Sequence, residues 1–368
     1  MPGDTLTIPL MRPRLPDAEA LLPYLREIDR ARWYTNFGQL LDRFERRLAE
    51  TFRVEVGQIT CVANGTLGLT LALKALEPAP GALCAMPSWT FAATPGAACA
   101  AGLVPWFLDV DEGTWALEPR ALKARLREAP GPVAAVVPVS PFGAPVDVAA
   151  WQALSEETGL PVAIDAAAAF DSLSIGRSPA VVSLHATKVF GIGEGAMVAS
   201  TDEGMTARVR RLSNYGFGKG AQVAAPGINA KMSEYAAAVG LAALDAWPAM
   251  RRTYVELTQA YGAAFDAAEG ISMAPSFGAG RVSSTCNVDL GAPVADEVIT
   301  RLSARGIETR RWWGRGCHRY PAFADFPRTA LPVTERLADS IIGLPFFPGL
   351  TEPEVMQVRD AVCAALSG

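Results

Sequence analysis

The sequence predicts an α/β fold: a mostly parallel, doubly wound sheet with a smaller C-terminal α+β domain. Three observations carry this expectation. Short apolar runs alternate with helical patterns between residues 58 and 213, the signature of strand–helix–strand units. Those runs are apolar throughout rather than at every second position, as strands covered on both faces must be. After Gly270 the regular alternation stops and a shorter strand–helix mixture begins. With 368 residues, half of them apolar, the chain can bury one large core and a smaller one. The expected division is a large domain at 1–245 and a small one at 246–368.

The strands are expected at 58–63, 82–87, 104–110, 132–139, 160–166, 180–186 and 196–200. Helices are expected between them at 65–77, 90–101, 118–128, 147–158 and 203–213. The segments "EPRALKARLREA" and "DVAAWQALSEETG" show helical spacing, and the second ends in Gly159, a residue suited to a helix C-terminus. Residues 231–268 read as one long helix or a broken pair, with Pro248 as the expected kink. A strand "STCNVDL", a helix "ADEVITRLSARG", the segment "IETRRWW" and a final helix "EPEVMQVRDAVCAAL" complete the chain.

Composition excludes several classes of function. The net charge of −5, with no dense Lys/Arg run, argues against a nucleic-acid surface. The most apolar window, 92–108, is broken by Pro95 and Pro105, so no membrane span is expected. "MPGDTLTIPLMRPRLP" lacks the apolar core of a signal peptide, and a cytoplasmic protein is expected. Six cysteines show neither a CxxC nor a metal-type spacing with the two histidines, so reduced thiols and no bound metal are expected.

Lys188 is the first candidate for chemistry. The chain has five lysines and 28 arginines, yet places a lysine after apolar "AVVSLHA" and before "VFGIGEG". Arginine stays charged, whereas a desolvated lysine can lose its proton and attack a carbonyl. Next, "ANGTLGLTLAL" (63–73) ends a strand, turns at Asn64-Gly65-Thr66 and starts a helix. Free N–H groups there, with a hydroxyl and a glycine, suit a phosphate, although an ordinary cap looks the same. Asp165 stands at the C-terminal end of an apolar strand, where doubly wound sheets bind ligands; it could be a cap, an ion-pair partner or the carboxylate facing a pyridinium nitrogen. Ser183 could add a second phosphate hydroxyl. Trp89 and Phe91 in "PSWTFAATP" could stack on a flat ring or simply join the core.

The order phosphate turn, aromatic, Asp, Ser, Lys resembles that of fold-type I pyridoxal-phosphate enzymes. "NGTLGL", "PSWTFAAT", "FLDVDEGTWALEP", "IDAAAAF", "SLHATKVFGIGEGA", "SNYGF", "GINAKMSEYAAA" and "LPFFPGLTEPEV" resemble successive signatures of the DegT/DnrJ/StrS family of sugar aminotransferases, from about residue 35 to the end. The resemblance implies pyridoxal 5′-phosphate as cofactor. It implies Lys188 as the residue that bonds it and then moves the proton, and Asp165 as the pyridinium partner. It gives Gly65, Thr66, the backbone of Leu67, and Ser183 as phosphate contacts. Phe91, rather than Trp89, would stack on the ring, and Asn229 would reach the phosphate of a neighbouring subunit, implying a homodimer with shared sites. Two departures stand out. The family usually has Gln or His where Ala168 stands, and often Asn where Val189 stands. Relatives that act as dehydrases carry His in place of the lysine, a branch Lys188 argues against.

The expected reaction is transamination of a nucleotide-diphosphate keto sugar, with L-glutamate as donor and 2-oxoglutarate as by-product. Resemblance to the branch making 4-amino-4,6-dideoxy sugars on thymidine diphosphate points to dTDP-4-keto-6-deoxyglucose, and to a use in lipopolysaccharide O-antigen. A 3-keto sugar, an eight-carbon keto-sugar acid and a non-catalytic cofactor-binding regulator remain alternatives. "ETRRWWGRGCH" (308–318) is the expected substrate-facing segment, with Arg310 for phosphate, Trp312 and Trp313 for stacking, and His318; the same residues could equally be surface and core of the small domain.

Overall fold

The computed structural model describes residues 8–218 and 222–367. Seven strands form the main sheet: β1 (Ile59–Val62), β2 (Leu83–Pro87), β3 (Val104–Leu108), β4 (Val133–Val136), β5 (Ile164–Asp165), β6 (Ala180–Ser183) and β7 (Ala196–Ala199). Hydrogen bonding gives the runs β1-β7-β6-β5 and β3-β2-β4. Parallel bridges Val136–Val162 and Val139–Asp165 join them into the order β1-β7-β6-β5-β4-β2-β3. Only β7 runs against its neighbours; the β2–β3, β2–β4 and β5–β6 pairs are parallel. The apolar runs are therefore what they promised: strands covered on both faces by helices.

The helices connecting parallel strands are α3 (Gly65–Ala75), α4 (Ala93–Ala100), α5 (Pro119–Arg125) and α6 (Val148–Thr158). Each parallel crossover needs such a helix. Asn64 and Asp147 cap α3 and α6 by accepting the N–H of Leu67 and Ala150, both at 2.9 Å. Gly159 closes α6 with a left-handed φ of 71°. β6 and β7 instead form an antiparallel pair whose connecting loop, 184–195, carries Lys188. Gly191 is needed in that loop: a Cβ there would lie 2.7 Å from the carbonyl oxygen of Ala186.

Two N-terminal helices, α1 (Ala18–Ala31) and α2 (Gln39–Phe52), precede the sheet. The start of α2 is held from afar: Glu234 accepts the N–H of Leu40 at 2.8 Å and of Leu41 at 3.2 Å. A further helix, α7 (Glu203–Ser213), follows β7, and α8 runs unbroken from Glu234 to Phe265 with Pro248 inside it. Of the two readings, one long helix or a broken pair, the first holds, and the expected boundary at 245 falls inside α8. Beyond it lies an antiparallel sheet, β10-β9-β8, formed by β8 (Ser272–Met273), β9 (Cys286–Asp289) and β10 (Ile341–Leu344). It packs with α9 (Ala295–Ser303), α10 (Pro332–Ser340) and α11 (Glu352–Ser367). Asp109, just past β3, ties this part to the main sheet by accepting the N–H groups of Val333 and Thr334, each at 2.8 Å.

Candidate active site

Asp165 ends β5 and is buried, with 7 % of its surface exposed. Its carboxylate accepts the hydroxyl of Thr94 at 2.7 Å and the N–H of Ala167 at 3.2 Å. Thr94 is paired in turn with the hydroxyl of Thr90 at 2.7 Å. Burial pushes the Asp165 carboxyl above its ordinary value, while these two donors and Lys188 pull the other way. A carboxylate held this way is short of positive charge. It is suited to a cationic N–H partner.

Lys188 sits in the β6–β7 loop, its backbone N–H donating to His185 O at 2.9 Å. Desolvation lowers its pKa, and the Asp165 charge opposes that shift without overcoming it. The shift favours the neutral amine, near a carboxylate at the sheet's C-terminal edge.

The N-terminus of α3 lies against β6. A Cβ on Gly65 would come 3.2 Å from Ser183 Cβ, so the helix start and the Ser183 hydroxyl share one small space. Ser183 Oγ accepts the His185 N–H at 3.3 Å, leaving its own proton to donate. The Leu67 N–H is already committed to Asn64. The other donors at the helix start are the Gly65 and Thr66 N–H groups and the Thr66 hydroxyl. Together with the helix dipole they form an anion cradle.

Phe91 is 60 % exposed, whereas Trp89 is 3 % exposed and packs edge-on to Trp313 at 5.4 Å. Of the two aromatics, Phe91 is the one free to cover a planar ligand. In the segment 308–318, several side chains are buried. Trp313 is 8 % exposed and stacked on Phe142 at 4.0 Å. His318 is 6 % exposed and bonded to Ser88 Oγ at 2.7 Å, and burial lowers its pKa. The Cys317 N–H donates to Ser88 O at 2.9 Å. These residues pack against the 88–91 loop and hold it in place. Arg310 lies over Trp312 at 5.1 Å and pairs with Gly343 of β10, so both belong to the β10 side of the small sheet. Asn229 is exposed and accepts from Lys231 Nζ at 2.7 Å, while its neighbour Ala230 pairs with Ala63 beside the cradle.

The residues fit pyridoxal 5′-phosphate: an amine in the β6–β7 loop, a buried carboxylate with only the Lys188 charge nearby, a set of N–H and O–H donors at the start of α3, and an exposed ring. Fold and site together define a pyridoxal-phosphate-dependent aminotransferase. The DegT/DnrJ/EryC1/StrS aminotransferase family matches residues 17–363, and the chain belongs to that family. It is 27 % identical over 377 residues to the Escherichia coli dTDP-4-amino-4,6-dideoxy-D-glucose transaminase, covering 96 % of this chain and 97 % of that protein. DesI, solved in the presence of its TDP-sugar product, superposes with a TM-score of 0.87 at 31 % identity, covering 99 % of this chain and 94 % of DesI. DesV from S. venezuelae superposes at 0.85 with 28 % identity, over 97 % of this chain and all of DesV (100 %). The protein is thus a sugar aminotransferase that uses pyridoxal phosphate. No helix among the described residues is long and apolar enough to cross a membrane.

Thr94 and Thr90 are site residues that sequence reasoning missed. Their i, i+4 spacing just after a strand end was the available signal.

Proposed function

We propose that the protein transfers an amino group from L-glutamate to a nucleotide-diphosphate keto sugar, dTDP-4-keto-6-deoxyglucose being the best-supported acceptor. The observation that carries this is a desolvated Lys188 near a buried Asp165, beside the helix start where Gly65 meets Ser183. When bound, pyridoxal phosphate supplies an electron sink for breaking and making the bonds at the aminated carbon. The cradle of Gly65, Thr66 and Ser183 would bind its phosphate. Asp165, kept in place by Thr94, would hold a proton on the ring nitrogen. Phe91 would cover one ring face and keep water away. Lys188 Nζ would be the amine that holds the cofactor and would move the proton at the donor's α-carbon; burial favours its neutral form and so its competence as a base. The same amine serves the sugar half of the cycle in reverse.

The proposed working unit is a homodimer in the cytoplasm, with Asn229 donating into the neighbouring subunit's cradle. Its support is an exposed amide beside exposed Tyr215 (47 %) and Phe217 (42 %). A panel of keto nucleotide sugars, each incubated with L-glutamate and followed by 2-oxoglutarate release, tests the substrate. The 4-keto-6-deoxy sugar on dTDP is expected to turn over fastest. Faster amination of a 3-keto sugar or of an eight-carbon keto-sugar acid would contradict that choice.

A further inference from the structure

Lys188 stands in a loop that the sheet holds only in part. Next to β6 and β7 the loop is closed by main-chain bonds. Leu184 N–H donates to Gly195 O at 2.9 Å, Ile192 N–H to Leu184 O at 2.8 Å, and Ala186 N–H to Gly193 O at 2.8 Å. Thr187 and Lys188 lie beyond the last of these rungs. Their two N–H groups both end on one residue, His185. The Lys188 N–H donates to His185 O at 2.9 Å, and the Thr187 N–H donates to His185 Nδ1 at 3.2 Å. The Thr187 hydroxyl reaches the same nitrogen at 2.9 Å.

This pattern fixes what the ring does. A backbone N–H can only donate, so Nδ1 offers its lone pair and the ring proton sits on Nε2. Nε2 faces Glu194 Oε1, on the returning side of the loop, at 3.7 Å. The imidazole thus accepts from the residue two further on, as Asn and Asp side chains do when they close a turn. Its one acceptor nitrogen is spent on Thr187, which leaves no free lone pair to act as a base toward a substrate.

A histidine that merely closes a surface turn makes the same contacts. The place of this one is what differs. The residue it holds is followed directly by Lys188, whose amine is desolvated beside Asp165. On the reading above, that amine both holds the cofactor and moves a proton, and both tasks start from one backbone position. A displacement of about 1 Å at such a group can cost roughly 100-fold in rate.

We propose that His185 is a positioning residue for Lys188: its Nδ1 holds the Thr187–Lys188 turn and through it sets where the lysine amine stands. The inference rests on the transaminase reading and adds to it the side chain that orients the amine.

The test is a cycle of four proteins: wild type, His185→Ala, Lys188→Ala and the double variant. The ring is 44 % exposed, so its removal leaves no buried cavity. Equilibrium dialysis measures the retention of pyridoxal 5′-phosphate. His185→Ala weakens retention by roughly 2- to 150-fold when Lys188 is present, the range of coupling between residues in contact, and by less than about twofold when Lys188 is already alanine. In the holoenzyme, bleaching of the visible band by L-glutamate slows by roughly 10- to 100-fold in His185→Ala, while the KM for each substrate stays within about threefold. His185→Asn restores most of both, because its Oδ1 can accept the same Thr187 N–H. Equal losses of retention with and without Lys188 overturn the proposal and make His185 a strut of the loop. Unchanged retention and bleaching in His185→Ala, or an Asn variant no better than the Ala variant, overturn it as well. Should L-glutamate leave the wild-type band unaltered, the transaminase reading fails instead, while the dialysis cycle still decides whether His185 acts through Lys188.

Discussion

Lys188 and Asp165 constrain each other, and single substitutions separate their roles. Lys188→Ala removes a nucleophile and proton carrier but little core volume. It is expected to abolish turnover while the far-ultraviolet dichroism and melting temperature stay near wild type. Asp165→Asn should cut the rate at least 100-fold, because an amide cannot hold the pyridinium proton. In the cofactor-free protein the same change should not destabilise, since it removes a buried charge. Here the sign is definite. The native carboxyl titrates above its ordinary value of 3.8, so the native state binds more protons than the unfolded one in that window. The stability of the cofactor-free wild type, relative to Asp165→Asn, should therefore fall as pH rises through it and level off above. Denaturant titrations of both proteins from pH 4 to 7 check this; a constant difference would mean the carboxyl is not strained. Asp165 stands out in the sequence because a strand end places it, and Lys188 because it is a rare lysine between an apolar run and a glycine-rich loop. Thr94 does not. Its partner lies 71 residues away, and nothing local marks such a contact. Trp313 and His318, expected at the substrate, are the converse case, since both are buried. A residue's type shows what it could bind, but only packing shows that both are walled in.

Helix α3 links the sheet to the cradle, and Gly68 sets how closely it approaches. A Cβ there would lie 2.9 Å from Val181 Cγ1 and 3.2 Å from Val62 Cγ2. Gly68→Ala should force the helix outward and cost about 1–3 kcal/mol, the usual range for overpacking. It should also weaken cofactor retention, because the N-terminal donors move with the helix. Thermal unfolding and equilibrium dialysis of pyridoxal phosphate read the two effects separately. At this scale the strands were the most legible elements, since seven apolar runs became seven strands. They are shorter than expected, as at 132–139, where pairing covers only Val133–Val136. Apolar character continues into the buried strand ends, where the hydrogen-bond ladder stops. Helices α1, α2 and α10 escaped the sequence reading. They are amphipathic and rich in charge, and α1 carries Pro23, which reads locally as a breaker. Their stability comes from tertiary contacts such as Glu234 on α2.

For the whole molecule, the shared-site dimer makes a prediction that no single-chain account shares. A heterodimer of an Asn229→Ala chain and a Lys188→Ala chain would place both lesions in one site and neither in the other. About half the wild-type activity should return. A heterodimer no better than the mean of its parents would assign Asn229 to its own chain's cradle, which lies close by through the Ala230–Ala63 pairing. Trp33, Tyr34 and Tyr235 also leave about half of their surface exposed, and size-exclusion chromatography with light scattering would show whether such surface is covered in solution. The central claim, that Lys188 and Asp165 operate a cofactor which passes an amino group from L-glutamate to a nucleotide sugar, is tested most directly by the visible absorption spectrum of the purified holoenzyme. The account predicts a band in wild type that L-glutamate bleaches and dTDP-4-keto-6-deoxyglucose restores, and that no longer responds in this way in Lys188→Ala. A band that L-glutamate leaves unchanged, or the absence of any band after incubation with pyridoxal phosphate, would contradict it.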